Sequence, residues 1–187
     1  LVLDMRYNRG GYLFIASQVA YMVAGQTRTA GRTFERLQYN DKRNDDTTNA
    51  ATPFYNTRCE PDAAFECQST TALPALNLGR VYVLSGPNTC SASEAVINGL
   101  RGIDVDVIVI GGTTCGKPYG FTAKDNCGIS YFPIEFKGVN AKGFGEYTDG
   151  FAATCPATDD LEHALGDTSE RLLSIALTHR ATGGCGT

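Results

Sequence analysis

Two side chains in this sequence have the types and setting for acyl-transfer chemistry. Ser91 opens the run Ser91-Ala92-Ser93-Glu94, and Lys117 closes the run Gly111-Gly112-Thr113-Thr114-Cys115-Gly116-Lys117. A serine hydroxyl needs a base before it attacks a carbonyl, and a desolvated lysine amine can be that base. Each residue also has a plainer reading. Ser91-x-x-Glu94 is the pattern of a helix capping box, with Ser91 accepting from the residue-94 N–H and Glu94 from the residue-91 N–H. A lone lysine is most often a solvated surface charge. Lys117, however, sits between Gly116 and Pro118 at the end of an apolar run, where burial would favour its neutral form. Gly10-Gly11 can be a simple turn, or its backbone N–H groups can face a developing oxyanion with no side chain in the way. The N–H of Ala92 is then the natural second donor.

Other nucleophile patterns fit less well. His163 and His179 both lie in the C-terminal tail, away from any nucleophile in the pattern, so a Ser-His-Asp triad is a poor match. There is no G-x-S-x-G elbow, and no lysine follows Ser91 by three residues.

The elements that must position these groups are legible from periodicity. Leu1 to Arg6 reads as a buried strand, and Asn8-Arg9-Gly10-Gly11 as a sharp turn. Leu13, Ile15, Ala16, Val19, Ala20 and Val23 recur at helical spacing, with Gly25 as a stop. Thr33 to Tyr39 is a candidate strand, and the polar run Asn40 to Asn49 an exposed loop. Residues 40–78 form an irregular excursion within one catalytic-type domain, 1–187. Arg80 to Leu84 and Val105 to Ile110 are apolar strands flanking a helix from Ser91 to Leu100, which implies a right-handed crossover and a parallel sheet. Gly128 to Phe136 reads as a further strand and Asn140 to Gly150 as a glycine-rich loop. Asp159 to Leu165 and Thr168 to His179 read as closing helices.

The 187 residues suffice for one domain with a real core, and the net charge is −4. With no basic patch interleaved with aromatics, nucleic acid is not an expected partner. No apolar stretch is long enough to span a bilayer. Leu1-Val2-Leu3-Asp4-Met5 lacks the form of a signal peptide and reads as a strand already under way, so the domain is expected to be truncated at its N-terminus. Seven cysteines stand at 59, 67, 90, 115, 127, 155 and 185, with no C-x-x-C pair, so neither a zinc ribbon nor a thioredoxin-type site is expected, and no metal ligands are assigned. Disulfides in an exported protein are the better reading. Cys59 and Cys67 share one short segment and form the first expected pair. Cys155 and Cys185 bracket the closing helices and form the second.

Three blocks together resemble the catalytic domain of the C-terminal processing peptidases, the tail-specific and tricorn-core type of serine protease. Leu1 through Gly11 resembles the family's strand ending in an Asp-x-Arg-x-Asn-x-Gly-Gly turn. Cys90-Ser91-Ala92-Ser93-Glu94 resembles its Ser-Ala-Ser-Glu block, and Ile110 through Lys117 its Gly-x-x-Thr-x-Gly-Lys block. The resemblance implies an α/β fold, a crotonase-like or Clp-protease-like core of stacked ββα units with a parallel sheet and closing C-terminal helices. It implies a serine endopeptidase with Ser91 as nucleophile, Lys117 as general base, and backbone N–H groups of Gly10, Gly11 and Ala92 as the oxyanion hole. No cofactor is implied. The expected partner is a protein or peptide substrate, and the cysteine count makes the expected compartment periplasmic or extracellular.

The chain also departs from the family pattern. Many members carry a glutamine four residues after the lysine, which orients it; here that position is Phe121. Cys115 replaces the usual aromatic before Gly-Lys. The lost glutamine position is the main support for the alternative of an inactive peptide-binding or scaffold protein of the same fold. If Ser91 and Lys117 meet, Cys90 and Cys115 come near bridging distance. They then either form a disulfide behind the pair or pack there as two small thiols.

Overall fold

Arg80-Val81-Tyr82-Val83-Leu84-Ser85 and Asp106-Val107-Ile108-Val109-Ile110-Gly111 are apolar on both faces, the pattern of strands buried between two layers. The computed structural model, which describes residues 1–59 and 71–186, places them side by side in parallel register. In chain order the elements begin with β1 (Val2–Asp4), α1 (Leu13–Ala24), α2 (Gln26–Thr29), β2 (Thr33–Gln38), α3 (Asn44–Asn49) and β3 (Ala51–Pro53). They continue with β4 (Arg80–Ser85), α4 (Ala92–Gly102), β5 (Asp106–Gly111), β6 (Tyr119–Phe121), β7 (Lys124–Asn126) and β8 (Ile129–Tyr131). Then follow β9 (Ile134–Val139), β10 (Cys155–Pro156) and α5 (Arg171–Thr182).

The chain is thus a mixed α/β fold around a parallel sheet ordered β1-β4-β5-β10. Val81, Val83, Val107 and Val109 face α1 and α4, where Ala20, Val96, Ile97 and Leu100 complete one apolar layer. Tyr82, Leu84, Ile108 and Ile110 face the other way, onto Leu172 and Ala176 of α5. A second sheet, β3-β2-β9-β6, is antiparallel. Its Phe34 is fully buried against Gly99 of α4, where a β-carbon would stand 2.5 Å from the ring. A glycine at that turn of α4 is therefore what lets the second sheet lie against the first layer.

Three expectations change. Asn44–Asn49 is a short helix rather than open loop: Asp45 and Asp46 occupy its first turn, and Thr48 and Asn49 bond back to carbonyls four residues earlier. The stretch from Gly128 to Phe136 is divided between β8, which pairs with β7 as a hairpin, and β9. Asp159 to Leu165 is not helical. There Asp160 accepts the Glu162 N–H at 3.0 Å and the Arg171 N–H at 3.0 Å, local bonds that compete with helix formation. Among the described residues the close is therefore a single helix, α5, with Glu170 accepting the Leu173 N–H at 2.9 Å as its N-cap.

Cys155 and Cys185 are joined, with α-carbons 5.4 Å apart, tying β10 to the end of α5. Cys67, and with it the expected Cys59–Cys67 pair, lies outside the described residues. Cys127 is exposed and unbridged.

Candidate active site

Three turns converge at the C-terminal edge of the parallel sheet: one after β1, one before α4 and one after β5. Asn8 ties the first two together. Its carbonyl accepts the Cys90 N–H at 3.1 Å, and its side-chain oxygen accepts the Gly10 N–H at 2.9 Å. The Ser93 hydroxyl donates to the same residue, 3.1 Å from the carbonyl and 3.0 Å from Oδ1. Ser93 is 2 % exposed, so its hydroxyl is spent on this anchor. Gly10 has φ +113°, and a β-carbon there would lie 2.8 Å from that of Ser91. The absence of a side chain at position 10 is what lets the turn press against the serine.

Ser91 itself is the N-cap of α4, with φ +56° and ψ −114°. A non-glycine residue held there stores about 1–3 kcal/mol, and such strain clusters at functional sites. Unlike Ser93, Ser91 is half-buried and lines a cavity of about 460 Å³. Gly11, Ala92 and Lys117 line the same cavity. Among the described residues, neither the Gly11 nor the Ala92 N–H has a hydrogen-bond acceptor. The Gly10 N–H does have one in Asn8, so it is not free for an oxyanion, contrary to the expectation for that residue.

Glu94 organises the third turn. Its carboxylate is completely buried. Oε2 accepts the N–H of Ser91 at 2.9 Å, the returning half of the capping box, and the N–H of Lys117 at 2.8 Å. Oε1 accepts the Thr114 hydroxyl at 2.6 Å and the Gly116 N–H at 2.8 Å. One carboxylate therefore holds the backbones of both Ser91 and Lys117. Gly116, at φ +79°, passes so close to Thr148 that a β-carbon would stand 2.1 Å from the carbonyl oxygen. Cys90 and Cys115 form a disulfide with α-carbons 5.3 Å apart, a covalent link between the same two turns.

Glu94→Gln is accordingly expected to destabilise the fold by about 1–3 kcal/mol. Either orientation of the amide sets its NH₂ against a pair of donors that the carboxylate now accepts. Chemical denaturation would measure the loss; wild-type stability in this variant would mean that the carboxylate does not organise the turn.

Lys117 departs from expectation in one respect. Its side chain is exposed, not desolvated, and its Nζ lies 5.5 Å from the centroid of the Phe121 ring. This contact follows from the turn into β6, which carries Phe121 to the lysine's own side of the cleft. The residue at the family's glutamine position thus meets the lysine through a ring face. Among the described residues there is no hydrogen bond between Ser91 and Lys117.

Sequence reasoning missed three contributors. Asn8, a turn former by residue type, also joins two turns through its carbonyl and side chain. Arg6 is almost wholly buried beneath the site, bonded to Asp4, Asp159 and Glu170. Glu35, on β2, reaches the cavity wall. Its signal was present in the alternation Thr33, Glu35, Leu37, which puts the carboxylate on the same face as an apolar residue.

The chain is a mixed α/β domain in which three turns converge at one edge of a parallel sheet. The sequence profile of peptidase family S41 matches residues 1–124, and the chain belongs to that family. A crystal structure from Bacteroides fragilis, described as an S41 protease, superposes with a TM-score of 0.76 at 26 % identity, over 98 % of this chain and 45 % of that one. The photosystem II D1 C-terminal processing protease matches with a TM-score of 0.53 at 19 % identity, over 84 % of this chain and 34 % of that one. A lipoprotein from Streptococcus agalactiae shares the fold at 13 % identity with a TM-score of 0.52, over 84 % of this chain and 49 % of that one. The chain thus spans less than half the length of each of these structures. No curated protein matches it.

Proposed function

We propose that this domain belongs to an exported serine endopeptidase that works through a Ser91–Lys117 dyad. The observation that carries the reading is the strained, cavity-facing Ser91 at the start of α4, flanked by the unoccupied N–H groups of Gly11 and Ala92. In this mechanism the Ser91 hydroxyl attacks the scissile carbonyl and gives its proton to Lys117 Nζ. The tetrahedral oxyanion is held by the Gly11 and Ala92 N–H groups, helped by the positive end of α4. Lys117 returns the proton to the leaving amine, and water then hydrolyses the acyl-enzyme by the same route in reverse. The lysine leaves the Phe121 ring to do this, and a peptide seated in the cleft desolvates its amine. Export is supported by the two disulfides among the described residues, since such bonds persist in oxidising compartments. No helix among the described residues is long and apolar enough to cross a membrane.

A second reading is favoured by one observation: Lys117 is exposed and not bonded to Ser91. On that reading the protein binds peptides without cleaving them. A fluorophosphonate probe on the full-length protein separates the two. The endopeptidase reading expects a covalent adduct on the peptide containing Ser91. The adduct should be lost in Ser91→Ala and kept in Ser93→Ala. No adduct, together with no hydrolysis of unstructured polypeptides, would leave the binding reading standing.

A further inference from the structure

We propose that Glu35 is the specificity-determining residue of the cleft and that it receives a basic side chain, arginine or lysine, of the bound peptide. The inference rests on the peptide-cleaving reading and names one of its subsites. Glu35 is 7 % exposed, yet among the described residues its carboxyl has no hydrogen-bond or ion-pair partner. A buried acid without a partner is costly unless a ligand completes it. Space has been made for it: a β-carbon on Gly138 of β9 would lie 2.5–2.7 Å from the carboxyl atoms. A register shift between β2 and β3 falls at Thr33 and Glu35, the kind of irregularity that re-aims a side chain.

The cavity that Glu35 faces is the one lined by Ser91 and Lys117, and among the described residues Glu35 is its only acidic lining residue. Leu37 and Phe136 line it too, apolar surface against which the methylene stem of a long basic side chain can lie while its head meets the carboxyl. The cations of the wall, Arg9 and Lys117, are both exposed and leave Glu35 unpaired. The Tyr147 phenol, whose ionisation burial suppresses, also faces the cavity, and its electrostatic neighbours are Glu35 and Glu94.

Burial pushes the Glu35 carboxyl up to about 7. A bound cation favours the ionised form, so cation binding strengthens as pH rises through that value and weakens as Glu35 takes up its proton below it.

Acetyl-arginine amide and acetyl-citrulline amide have nearly the same shape and differ in charge. Their binding to the full-length protein, followed by NMR titration, tests the site without relying on turnover. Wild type should favour the arginine ligand by about tenfold or more at pH 8, in line with a charge-assisted hydrogen bond, and by less at pH 6. Glu35→Gln should bind both alike at either pH. Equal binding by wild type, or unchanged discrimination in Glu35→Gln, overturns the proposal. Discrimination without hydrolysis of any peptide supports the cation subsite and rejects the peptidase reading. Hydrolysis with no arginine preference in either assay rejects the subsite and keeps the peptidase.

Discussion

Lys117→Arg is expected to lower peptide turnover by about 10²–10⁴-fold, the contribution of a positioned general base. Arginine keeps the positive charge and can keep the contact with the Phe121 ring, so the resting geometry should survive. A guanidinium does not give up its proton in the accessible range, so it cannot accept one from Ser91. The backbone of residue 117 is held by Glu94 through its N–H, an interaction indifferent to the side chain. Stability should therefore change little while turnover collapses. Steady-state hydrolysis of an unstructured polypeptide, with thermal unfolding in parallel, measures both. Turnover near wild type in Lys117→Arg would reject the dyad. The comparison with Ser91→Ala is informative, because the two residues act as a unit and their losses should not add.

Arg6→Ala should have the largest effect on stability, about 3–5 kcal/mol, because it strands a buried charge. The Arg6 side chain is 2 % exposed and that of Glu170 is 1 %. The guanidinium spans Asp4 at 2.7 Å, Asp159 at 2.6 Å and Glu170 at 2.9 Å, joining the end of β1 to the N-cap of α5. Removing it leaves Glu170 buried without its cation. For a domain of this size the melting temperature should fall by roughly 10 °C. The hydrogen bond from Arg6 holds the Asp4 carboxyl below its ordinary value. Its stabilising contribution is therefore complete above the ordinary aspartate pKa of about 4 and is lost as pH falls through the depressed value. Thermal unfolding of wild type and Arg6→Ala across acid pH measures this, and the wild type should lose more stability than the variant. A melting temperature within two or three degrees of wild type would mean that the network contributes little.

Much of the framework was legible in the sequence. The continuous apolar runs of β4 and β5 could only be strands buried on both faces, and the spacing of Ser91 and Lys117 around them placed both residues on loops at one edge. The helix from Leu13 and the stop at Gly25 followed from periodicity and from glycine's freedom at positive φ. Local pattern misled where polar side chains chose partners across the fold: Asp159, read as part of a helix, instead meets Arg6, 153 positions away.

What the sequence by itself determined was therefore which residues could share a site. Tertiary structure decided their states. Capping pattern alone could not show that Glu94 grips Lys117 as well as Ser91, because the second contact spans the whole of α4 and β5. Nor could it show that Ser93 is committed to Asn8 while Ser91 faces the cavity. The exposure of Lys117 and the unpartnered burial of Glu35 are likewise set by distant strands. Desolvation depends on everything packed around a group, and that surrounding comes from segments far apart along the chain.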